Sequence, residues 1–148
     1  MNKPSPSLSI IIPVRAKSPD EFLPRLALRD QCCLDGVTTI LIDDGSPKNV
    51  SEALAAFCET RGWLYVFEDS RNLAFSLSRA RNIGANIAQT EWIFLDDADI
   101  LYSATFFSRL KVELSHLHRT PLSFVSVPVV YLTQRASAQI LTSSIVEE

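Results

Sequence analysis

The residues of this chain best suited to chemistry are acids in short runs: Asp43 with Asp44, Glu68 with Asp69, and Asp96, Asp97 and Asp99. Each run directly follows an apolar, strand-like stretch, so a fold that lays those strands side by side gathers the carboxylates along one edge. Unit charges about 4 Å apart repel by roughly 4 kcal/mol at the effective dielectric of a protein surface, so the gathering requires positive charge. Mg²⁺ or Mn²⁺ supplies it naturally, because these ions take hard oxygen ligands and commonly join one or two carboxylates to substrate phosphates. Arg79 and Arg81 lie in the segment leading to the last acidic run, where they can reach phosphate oxygens, and Arg15 follows the first apolar run. Within the run ARNIGA, Arg81 is the stronger candidate. The expected chemistry is the binding of a diphosphate through a divalent cation.

The elements that position these residues follow from periodicity. Residues 8–14 (LSIIIPV), 37–42 (VTTILI), 63–67 (WLYVF) and 92–95 (WIFL) read as four strands, the first buried on both faces. Helices are expected over 19–32, where Ser18, Pro19 and Glu21 form a capping signal, and from Asn49 to a left-handed cap at Gly62. Two more are expected over 75–89, where Gly84 implies close packing, and from a Ser103 cap to His118. Residues 123–132 (SFVSVPVVYL) alternate and carry Pro128, so they read as a strand at a sheet edge or with a bulge. Alternating strands and helices define an α/β fold with a mostly parallel sheet and helices on both faces. One domain over 8–142 is expected, with loose ends at 1–7 and 143–148. Ligands of such sheets bind beyond the carboxyl ends of the strands at a topological switch point, which is where the acids fall.

Composition narrows the alternatives. Hydrophobic residues make up 47% and charged residues 21%, the balance of a soluble globular domain. A formal net charge of -3 with scattered Lys and Arg gives no basic stripe, so nucleic acid is not an expected partner. The chain has only four glycines and neither a GxGxxG nor a GxxxxGK[ST] loop, which disfavours dehydrogenase-type and P-loop nucleotide binding. Cys32, Cys33 and Cys58 match no zinc or redox spacing and read as reduced, buried thiols. His116 and His118 point to different faces of one helix and read as solvated. Trp63, Trp92, Phe106 and Phe107 fall within apolar patterns and read as core. The first apolar run is too short to span a membrane and lacks a cleavage site, so a cytoplasmic protein is expected, with membrane association only through a parent chain or complex.

The order SIIIPV, ILIDDGS, ARNIGA, FLDDAD resembles the nucleotide-sugar-binding half of family 2 inverting glycosyltransferases of the GT-A fold, over residues 8–132. The resemblance implies transfer of a hexose from a nucleotide-diphosphate sugar, UDP by default, to a glycan or other hydroxyl acceptor in polysaccharide or glycoconjugate synthesis. It places the base contact on Asp44 with Asp43 beside it, and the DxD motif on Asp97, Ala98 and Asp99. The first of these acids would contact ribose or metal, and the last Mn²⁺ or Mg²⁺. An alternative register would use Asp96, which is kept as a neighbour. The implied donor site is therefore Pro13, Val14, Arg15, Asp43, Asp44, Arg79, Arg81, Asp96 and Asp97, with the metal on Asp97 and Asp99. Arg15 and Ala16 replace the polar or aromatic residue and Asn usual in the first loop, which alters the expected base pocket. The general base is expected beyond Glu148; Glu147 and Glu148 are not given that role, and the isolated chain is expected to bind without turnover.

Two other readings start from the same acids. A receiver-like signalling domain also has an acidic pair after an apolar strand, but here the pair follows the second strand and the last apolar run carries no Lys for a phosphoryl group. A degenerate domain would keep the fold as an interaction module alone.

Overall fold

The computed structural model describes residues 7–30, 36–117 and 123–142. The apolar runs form β1 (Leu8–Val14), β2 (Val37–Asp43), β3 (Leu64–Phe67) and β4 (Trp92–Leu95), in the sheet order β3-β2-β1-β4. All pairings are parallel: Val14 lies opposite Asp43, Asp43 opposite Phe67, and Ile11 opposite Leu95.

Right-handed crossovers decide which helix covers which face. The steps from β1 to β2 to β3 run one way across the sheet and place α1 (Leu23–Asp30) and α2 (Lys48–Arg61) on one face. The step from β3 to β4 returns the other way and places α3 (Leu77–Ile87) on the opposite face. Leu8, Ile10, Ile12 and Val14 of β1 pack with Leu26 of α1, Val50 and Leu54 of α2, and Phe107 of α4 (Phe106–His116). Ile11 packs on the other face with Ile40, Ile42 and Ala80 of α3. Burial on both faces is why β1 is apolar at every position but Ser9. The close packing expected at Gly84 is present: a Cβ there would collide with Ile11 Cγ2 and lie 3.1 Å from its Cγ1. Gly62 caps α2 at φ 65°, as expected.

Several elements differ from expectation. The helix expected over 19–32 is a short 3-10 turn at Pro19–Glu21 followed by α1, with Phe22 out of helical geometry between them. Pro24 accounts for the break, since it has no N–H to bond the Asp20 carbonyl. Glu21 accepts from the Lys17 amide at 2.7 Å instead of closing a capping box on Ser18. Ser103 meets α4 through its carbonyl, which accepts from Phe106 N at 3.0 Å.

Residues 123–132 are not a strand. Phe124, Val130 and Tyr131 are exposed, and Pro128 has no amide to donate, so neither face burial nor a ladder holds extended pairing there. An unanticipated helix, α5 (Gln134–Thr142), follows; Thr133 begins it by accepting from Ala136 N on its hydroxyl and from Ser137 N on its carbonyl. Packing divides the chain into residues 1–115, which hold the sheet, and 116–148, which hold α5. Cys32, Cys33, His118 and the end at 143–148 lie outside the described residues.

Candidate functional site

The strand order reverses at β1: β2 and β3 lie on one side of it and β4 on the other. The switch point therefore falls between the loops that follow β1 and β4, which carry Arg15 and the acids Asp96, Asp97 and Asp99. The acidic strands are not neighbours at the sheet centre, as convergence of their acids would most simply require. β1 separates β2 from β4, and β4 is an edge strand. Moreover, β4 leaves the sheet opposite Ile11, while β2 continues to the level of Val14. At about 3.3 Å per residue the last acid loop begins about 10 Å below the Asp43–Asp44 turn along the strand direction. The end of β1 forms the step between them.

The turn after β2 is built from its own polar groups. Ser46 N donates to Asp43 Oδ1 at 2.8 Å, and Tyr65 OH donates to Asp43 Oδ2 at 2.8 Å. Burial and the Asp43 carboxylate push the Tyr65 phenol up, so it remains a donor. Gly45 takes φ 88°, and a Cβ on it would stand 2.8 Å from Arg71 N, so the turn and the loop after β3 can only meet at a glycine.

Asp44 is fully buried beneath that second loop. It accepts from Ser70 Oγ at 2.7 Å, Ser76 N at 2.8 Å, and Arg79 Nη2 and Nε at 2.6 and 3.2 Å. Burial raises its pKa, but the bonds from Arg79, the Ser76 amide and Ser70 together outweigh this and hold the carboxyl below its ordinary 3.8. Arg15 ties the same loop from β1, donating to Leu73 O at 2.6 Å and Arg71 O at 3.0 Å. Residues 70–76 thus form a strap over the ends of β1 and β2. Pro13 and Val14 lie buried within β1, where the Val14 carbonyl accepts from Asp44 N at 2.9 Å.

The loop after β4 divides its acids by burial. Asp96 is buried and bonded by Arg29 Nη1, Tyr102 OH and, at 2.8 Å, Asp97 N. Burial pushes its carboxyl up, against the pull of Arg29 and these hydrogen bonds. Asp97 is different: its side chain is 46% exposed and accepts from Arg81 Nη2 at 2.8 Å. Asp99 is exposed. The open carboxylates are therefore Asp97 and Asp99.

This geometry corrects the electrostatic expectation. The positive charge required by clustered acids is already present, because Asp44, Asp96 and Asp97 each hold an arginine. Arg79 and Arg81 both project from α3, yet they grip acids that follow different strands, β2 and β4. Among the described residues no group of three or more His, Cys, Asp or Glu is placed to hold a metal. A cation here would have Asp97 and Asp99 as protein ligands and would complete its oxygen shell from phosphates and water. The donor set fits a hard divalent ion bound chiefly through its substrate.

Arg29 and Tyr102 are site-organising residues that composition and motif did not single out. The available clue was position: Arg29 lies three residues after Leu26 on the face the expected helix buries, and a guanidinium on an apolar stripe needs buried acceptors. The bland readings hold where they are described. Cys58 is a buried thiol pushed up to about 12 by burial, His116 is exposed, and Trp63, Trp92, Phe106 and Phe107 pack in or against the core.

A parallel α/β sheet, with helices on both faces and acids on the loops at its carboxyl edge, is the arrangement of a Rossmann-like GT-A fold. The sequence matches the family described as glycosyltransferase like family 2 over residues 9–144, and the chain belongs to that family. No curated protein matches it. Among solved structures it is similar to the mannosyltransferase PcManGT from Pyrobaculum calidifontis, determined in complex with GDP-Man and Mn²⁺. The two share 22% identity at a TM-score of 0.55, over 72% of this chain and 32% of that one. The likeness is one of fold, and the chain spans about a third of that protein's length. Among the described residues no helix is long and apolar enough to cross a membrane.

Proposed function

We propose that residues 8–142 form the donor-binding part of an inverting glycosyltransferase, taking a nucleotide-diphosphate hexose for transfer to a hydroxyl of a glycan or glycoconjugate. The supporting observation is the division of the acidic loop. Asp96 is consumed internally while Asp97 and Asp99 face outward, which favours the register with those two as the metal-binding pair. Asp97, Asp99 and the neighbouring Arg81 would hold the diphosphate with Mn²⁺ or Mg²⁺, whose charge stabilises the leaving diphosphate. Arg15, Asp44 and Arg79 would shape the nucleoside side through the strap at 70–76. Asp44 itself is covered, so a base reaches its carboxylate only with that strap displaced. No residue here is given the role of general base.

UDP is the first nucleotide to test; the GDP-Man bound by the mannosyltransferase makes GDP the second. Calorimetric titration with Mn²⁺ present should show binding of one of them, and Asp97→Ala should remove its metal-dependent part. Arg81→Gln provides a signed test: with the competing guanidinium gone, Mn²⁺ alone binds a few-fold more tightly, while the nucleotide binds about tenfold more weakly. No binding of either nucleotide at millimolar concentration would leave the interaction-module reading in its place. Loss of both affinities in Arg81→Gln would mean that this arginine serves only the fold.

A further inference from the structure

Arg29 reaches from α1 to the loop after β4, 67 residues away in sequence, and its side chain is only 4% exposed. Among the described residues its guanidinium bonds three oxygens. Nη1 donates to Asp96 Oδ2, and Nη2 donates to the carbonyls of Asp97 and Ile100, the latter at 2.5 Å. Its Cζ stands 5.5 Å from the centre of the Tyr102 ring, and Tyr102 OH bonds the other Asp96 oxygen. The two carbonyls bracket Ala98 and Asp99, so one buried cation holds both ends of the segment that displays the exposed acids.

Resting on the donor-site reading above, we infer that Arg29, seconded by Tyr102, is a positioning residue that presets Asp97 and Asp99 for a divalent cation. A site with two protein carboxylates gains little from the metal if it must first order the loop, because that ordering cost is subtracted from binding. A planar guanidinium can satisfy three acceptors at once in a fixed fork. An ammonium keeps the charge beside Asp96 but cannot reproduce that geometry.

The experiment compares wild type, Arg29→Lys and Tyr102→Phe in the full chain. Mn²⁺ binding, alone and with UDP or GDP, is read from loss of the free-ion paramagnetic resonance signal. Melting temperature and amide exchange at residues 97–101 are followed alongside. Arg29→Lys should melt within a few degrees of wild type, bind Mn²⁺ about tenfold more weakly, and exchange faster across the loop. Tyr102→Phe should show a smaller change in the same direction. The inference is overturned if both folded variants bind Mn²⁺ as wild type does, or if exchange at 97–101 is unchanged. Should Arg29→Lys fail to fold, Tyr102→Phe decides on the same two readouts. Wild type that binds Mn²⁺ neither alone nor with nucleotide sinks the donor-site reading itself, and this inference with it.

Discussion

Asp44 shows how a motif residue can be fully occupied in holding the chain together. Its carboxylate takes hydrogen bonds from a hydroxyl, an amide and a guanidinium, all from the 70–79 region. Asp44→Asn keeps the shape but removes the charge that orders Arg79, and hydrogen bonds to charged groups contribute about 1.5–3 kcal/mol. A loss of about 2 kcal/mol is expected near neutral pH. The pH dependence follows from the sign of the shift: the folded-state pKa lies below the ordinary 3.8, so the unfolded chain takes up the proton first as pH falls. The stabilisation is complete above that ordinary value and disappears as pH drops through the lower, folded value. Calorimetric melting of wild type and Asp44→Asn should therefore show a constant gap between about pH 5 and 7, closing only in stronger acid. A gap that closes already near neutrality would show that the charge of Asp44 is not what holds the strap.

At the scale of elements, α3 governs the site, since it carries both Arg79 and Arg81 and lies against the sheet at Gly84. Gly84→Ala gains about 1 kcal/mol of helix propensity, but overpacking against Ile11 in a strand buried on both sides costs about 1–3 kcal/mol. The net expectation is a destabilisation of about 1 kcal/mol, with both guanidinium contacts shifted. Ile11→Ala opens the space, so denaturant unfolding of the double variant should give a loss smaller than the sum of the two singles. Strict additivity would mean that the helix moves away at no cost. This close approach could be read from a glycine inside a helical pattern, just as the strands could be read from apolar runs. What sequence left hidden depends on partners distant along the chain. The break before α1 is the exception, a local one, since Pro24 lacks the N–H that would bond the Asp20 carbonyl four residues back. Residues 123–132 have strand composition, and Pro128 signals only a weakened strand; that their apolar side chains find no face to bury against is not written in the pattern. Arg29 acquires its meaning only when α1 is folded beside the loop after β4, and the acids looked short of positive charge because their arginines come from other elements.

For the molecule as a whole, every candidate donor-site residue, from Pro13 to Asp99, belongs to the unit formed by residues 1–115. The net charge of -3 opposes an incoming diphosphate, so binding should depend on the cation and weaken when a chelator removes it. A ligand at about 100 times its dissociation constant stabilises by about 2.7 kcal/mol, which for a chain of this size corresponds to roughly 5–10 °C in melting temperature. That shift should require Mn²⁺ or Mg²⁺ together with nucleotide, and should vanish in Asp97→Ala. Hydrogen exchange then locates the effect. Protection should rise in the loops around Arg15, in the strap at 70–76, at the start of α3 and across 96–102. No rise in protection in those loops, or a melting shift that survives both chelation and Asp97→Ala, would remove the case for a metal-assisted donor site at the carboxyl edge of the sheet.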